Sequence, residues 1–102
     1  MCKPNSKMYV RLELDNTILK ICENGEIYRY KNDEWKLIEN TQNHIKGYNV
    51  ILINKKQYMR SKIIACAFLN HDLYDNTVFI CHKDNNKMNN TLENIYIKPK
   101  KI

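Results

Sequence analysis

The sequence predicts an α+β protein made of an antiparallel β meander, a strand-helix unit and a closing β-hairpin. Three observations carry that prediction. Short runs of β-branched and aromatic residues recur through the first half, separated by turns rich in Asn, Asp and Gly. Residues 59–70 space their apolar side chains as a helix with one buried face does. Residues 77–97 set two short apolar runs on either side of a loop crowded with Asn and Asp, side chains that bond nearby backbone and tolerate tight turns. At 102 residues the chain accommodates a single domain with a modest core, and residues 7–58 form its β-rich part.

The elements follow in order. Met1 to Ser6 is polar and reads as a frayed end, and Met8 to Leu14 alternates as a half-buried strand. Asp15-Asn16 turns the chain into a second strand, Thr17 to Cys22. Asn24-Gly25 is the strongest local hairpin signal and leads into Ile27 to Tyr30. A further turn, Lys31 to Glu34, precedes Trp35 to Ile38. Tyr28, Tyr30 and Trp35 are assigned to cross-strand pairs and core in preference to base stacking. After the polar connection Glu39 to Lys46, Gly47 admits the strand Tyr48 to Ile53. Asn54-Lys55-Lys56 then turns the chain into the helix Met59 to Phe68. A polar loop, Asn70 to Asn76, precedes the strands Val78 to Cys81 and Ile95 to Ile97. His44 and His71 lie in polar stretches without a ligand partner nearby and read as surface residues.

Composition narrows the function. A net charge of +6, carried mostly by lysine, fits a polyanionic partner, with a soluble basic protein as the alternative. Cys2, Cys22, Cys66 and Cys81 form no Cys-x-x-Cys pair, which argues against a zinc finger. No apolar stretch suits a signal peptide or membrane span, so the expectation is a cytoplasmic or nuclear protein with free thiols and no membrane partner. The bias towards Asn, Lys and Ile suits an AT-rich genome such as those of many phages and large viruses.

The one concentration of chemistry is around His82, at the end of a strand, where a rigid backbone aims an imidazole. The run Cys81-His82-Lys83-Asp84-Asn85-Asn86-Lys87, followed by Asn89-Asn90 and Glu93-Asn94-Ile95, resembles the His-x-Asp-x-Asn-Lys, Asn-Asn, x-Asn-Leu pattern of HNH endonucleases of the phage and intron-homing type. The likeness extends upstream through Gly47-Tyr48 and Ser61 to Phe68, covering roughly residues 22–97.

This resemblance implies a ββα-metal site that nicks or cleaves DNA. In it His82 is the general base, Asn94 orients His82, and a divalent cation, magnesium or manganese, stabilises the leaving oxygen. Cys81 stands where the family has a hard oxygen ligand, and thiolate serves magnesium poorly. Asp84 is the other candidate donor, although a carboxylate in such a loop also braces it. The family's third ligand sits on a helix after the second strand, and only Lys98 to Ile102 follow here, so the motif reads as incomplete. A missing ligand would have to come from Asp84, solvent or a second subunit in a homodimer. The competing expectation is an inactive HNH-derived module that needs no cofactor and binds DNA or an acidic protein. In either case the DNA-facing residues are Lys55, Lys56, Arg60, Lys62, Lys83, Lys87, Lys98, Lys100 and Lys101.

Overall fold

In the computed structural model, which describes residues 9–100, the chain is α+β, with a four-stranded antiparallel sheet, two two-stranded sheets and one helix. The meander comprises β1 (Tyr9–Leu14), β2 (Thr17–Cys22), β3 (Ile27–Lys31) and β4 (Glu34–Ile38), paired in chain order. Two of its turns are two-residue loops with both residues at positive φ, Asp15-Asn16 at 48° and 64° and Asn32-Asp33 at 54° and 64°. That backbone matches the right-handed twist of the flanking strands, and Asn and Asp adopt it at low cost.

Next come β5 (Val50–Ile53) and β6 (Lys56–Met59), joined by Asn54-Lys55 at φ 49° and 70°. β6 is a strand where the sequence suggested only a turn running into a helix. It forms because the two-residue loop returns the chain in register, pairing Ile53 with Lys56 and Val50 with Met59. The helix α1 (Arg60–Phe68) follows directly. The final hairpin joins β7 (Val78–His82) to β8 (Ile95–Pro99) through a loop that ends in a single 3-10 turn, Leu92–Asn94.

The core lies where the sheets close over α1. Leu19, Ile21 and Ile27 from the meander meet Ile51, Ile53 and Tyr58 from β5 and β6. Ile63, Ile64 and Ala65 of the helix and Ile95 of β8 complete the cluster. Full burial of each such aliphatic side chain is worth about 1.5–3 kcal/mol, and the helix supplies the surface on which the small sheets rest.

Two expectations are corrected here, and a third holds in part. His71 is buried, with no hydrogen-bond partner at Nε2, because the chain folds back beneath the helix end and its amide N–H reaches the Ala65 carbonyl. Cys22 is disulfide-bonded, so the thiols are not all free, although Cys66 and Cys81 are. Tyr30 and Trp35 do pair edge to face at 5.1 Å, but both rings stay part-exposed on the outer face of the sheet. Among the described residues no helix is long and apolar enough to cross a membrane.

Candidate functional site

The candidate site is the loop between β7 and β8, and a ring of side-chain amides and one carboxylate builds it. Asp84 is the hub. Its Oδ1 accepts from the Asn86 backbone N–H at 2.8 Å and from Asn94 Nδ2 at 2.9 Å, while Oδ2 accepts from Asn89 Nδ2 at 2.8 Å. Asn94 also donates to the Asn89 carbonyl at 2.8 Å and accepts the Asp84 N–H at 3.3 Å. These bonds hold the Asp84 carboxyl at about 2, below the usual carboxylate range; the Asn89 amide contributes most, followed by that of Asn94. Asn85, at φ 61°, makes the reversal, and its N–H reaches the His82 carbonyl at 3.0 Å.

The loop is docked onto the rest of the protein. Leu92 N–H donates to the Glu23 carbonyl at 2.7 Å, Asn40 Nδ2 to the Met88 carbonyl at 2.7 Å, and Lys87 Nζ to the Lys46 carbonyl at 2.8 Å. Gly25 sits against the loop at φ 91°, and a Cβ there would lie 2.9 Å from the Asn90 carbonyl oxygen. Only glycine permits that approach. The strongest hairpin signal of the sequence does make a turn, and its glycine is also the seat of the C-terminal loop.

This docking places Asn90, which is 4% exposed, beside the imidazole. His82 Nε2 and Asn90 Oδ1 are 2.8 Å apart. An amide oxygen only accepts, so in this pairing Nε2–H is the donor, and in the neutral ring Nδ1 then keeps the lone pair. The residue that orients His82 is therefore Asn90. Asn94, expected in that role, braces the loop with every polar atom of its side chain and makes no hydrogen bond to His82. Asn90 lies four residues nearer in sequence, within the Asn89-Asn90 pair, but only the contact with Gly25 singles it out.

The residues present do not assemble a cage for a divalent cation. Register pairs His82 with Ile95, which is buried, and Cys81 with Tyr96, which is exposed, so the thiol and the imidazole lie on opposite faces of the hairpin. Both oxygens of Asp84 are engaged in holding the loop. Among the described residues no three His, Cys, Asp or Glu side chains cluster as a donor set.

The basic residues divide into three kinds. Arg60 is 1% exposed and is structural, which corrects its assignment to the DNA surface. It lies at the helix start, where the meander and β5 converge, and donates to Asn49 Oδ1 at 2.9 Å and to the carbonyls of Gly25, Ile38 and Glu39 at 2.8, 2.6 and 3.0 Å. Burial pulls its guanidinium down to about 10, opposed by the charge of Glu26. Lys56 faces Asp15 at 3.9 Å, and Lys87 is tethered to the Lys46 carbonyl. Lys55, Lys83, Lys98 and Lys100 are exposed and Lys62 is half-buried, while Lys101 falls outside the described residues. Comparison with family models, with curated proteins and with solved structures finds no match to this chain.

Proposed function

We propose that this chain is an HNH-type DNA-binding protein that carries the general-base half of a phosphodiester-hydrolysing site. The observation that supports it most is the pairing of His82 Nε2 with Asn90 Oδ1, an arrangement that in the neutral ring leaves the proton-accepting lone pair on Nδ1. An imidazole held this way takes the proton from a water molecule as its oxygen attacks phosphorus, and the P–O bond to the leaving sugar oxygen breaks, that oxygen taking its proton from solvent. The exposed lysines and the net charge of +6 supply attraction for the phosphate backbone. The HNH-like spacing from Cys81 to Ile95 adds to this reading, and its implied magnesium or manganese does not suit the donors described, so no step is assigned to a metal.

That same mismatch favours a second reading, a binding module without hydrolysis. The two separate in a nicking assay on supercoiled plasmid in Mg²⁺, Mn²⁺ or Zn²⁺, run beside a gel shift. The first reading expects nicking that falls about 10²- to 10⁴-fold in His82→Ala. Wild type no more active than His82→Ala in every metal, with a salt-sensitive gel shift intact, sinks hydrolysis and leaves the module.

A further inference from the structure

We propose that the outward face of the β7–β8 hairpin binds single-stranded DNA by stacking unpaired bases on Phe79 and Tyr96. Strand register pairs Phe79 with Lys98 and Cys81 with Tyr96, so these four side chains share one face. The opposite face carries Ile80 and Ile95 into the core. Phe79 is 51% exposed and Tyr96 41% exposed, on a hairpin whose other large apolar groups are turned inwards. Lys100 holds its ammonium 5.0 Å from the centroid of the Phe79 ring. Lys83, one residue beyond β7, is exposed and bonds through its N–H to the Asn94 carbonyl. None of the five strand pairs contains a carboxylate.

Two exposed rings beside Lys98 and Lys100 favour one occupant. An apolar protein partner would need aliphatic surface where the ammonium groups stand. A polyanion satisfies the charge, and a polyanion with bare π faces satisfies the rings as well. Duplex DNA covers its base faces by stacking, whereas a single strand presents them. Phe79 and Tyr96 are diagonal neighbours across the hairpin, roughly 7 Å apart at Cβ, and an extended strand can set successive bases on them. Stacking of a base on Phe79 exceeds what an exposed ammonium gains there, so the Lys100 side chain gives way and turns to the phosphates.

This inference rests on the DNA-binding reading and extends it to the form of the DNA. Fluorescence anisotropy with a labelled 15-mer of thymidine and with a 15-base-pair duplex tests it on the full chain. Phe79→Ala and Tyr96→Ala are each expected to weaken the single-strand complex about 10-fold and leave the duplex complex within 2-fold. Phe79→Leu, which keeps an apolar side chain and removes the π face, is expected to behave as Phe79→Ala, separating stacking from any effect on folding. Duplex binding with ring variants that hold their affinity for the thymidine strand would overturn this inference alone. Failure to bind either DNA would overturn it together with the DNA-binding reading.

Discussion

Replacing Arg60 with Met tests whether this residue holds the fold or touches DNA. Its guanidinium meets four acceptors, of which Asn49 Oδ1 and the Gly25 carbonyl are buried, while the carbonyls of Ile38 and Glu39 are part-buried. Met fills much of the same volume, so the cavity term is small and the unmet acceptors dominate. The two nearer the surface regain water. The two buried ones do not, at about 2 kcal/mol each, for a loss of roughly 4 kcal/mol. In a domain of this size that lowers Tm by on the order of 20 °C, read by circular dichroism at neutral pH. Arg60→Lys keeps a charge but not the planar fork, and should fall between wild type and Met. Below its Tm, Arg60→Met should bind DNA with an unchanged salt dependence. A Tm within about 5 °C of wild type, together with a shallower salt slope, would show that Arg60 meets phosphate and that its buried bonds carry little.

Two further outcomes follow from the loop. The Asp84 carboxyl is held below its ordinary value in the folded protein, so its contribution to loop stability is complete above the unfolded value near 3.8 and is lost as pH falls through about 2. The protection of the Asn86 amide, its exchange rate relative to an unstructured peptide at the same pH, should fall in that window for wild type and be low throughout in Asp84→Ala; protection in wild type that holds constant across the window would contradict the brace. Gly25→Ala puts a methyl 2.9 Å from the Asn90 carbonyl oxygen at φ 91°. It should cost about 1–3 kcal/mol and shift the His82 imidazole resonances, and unchanged imidazole signals would show that the Gly25 contact does not position Asn90.

What could be read from the sequence was local. The meander was legible because Asp15-Asn16 and Asn32-Asp33 signal their own backbone conformation without help from the rest of the protein. β6 was not, because Lys56–Met59 is only four residues long and Met59 also fits the apolar stripe of the helix that follows. The role of Asp84 as a brace was visible in its setting among asparagines. Arg60 was misread since a charged residue at a helix start is usually solvated, and nothing near it in sequence reveals that Gly25, Ile38 and Asn49 converge there. The pairing of Asn90 with His82 was not foreseen for the same reason: two amides in one loop differ only in what distant backbone is pressed against them.

The docking of the β7–β8 loop against Gly25 also sets an order of events. Each hairpin of the chain closes over a short span, and such pairings form within microseconds. The Leu92 to Glu23 and Asn40 to Met88 bonds join segments far apart in sequence, so their loop-closure entropy is met only once the meander and the helix are in place. His82 is consequently among the last groups to reach its final orientation. During synthesis from the ribosome the meander emerges first and offers a finished surface for the hairpin to land on. A nascent chain that has not completed this landing holds an imidazole without its Asn90 partner, so the His82–Asn90 pairing belongs to the finished fold alone.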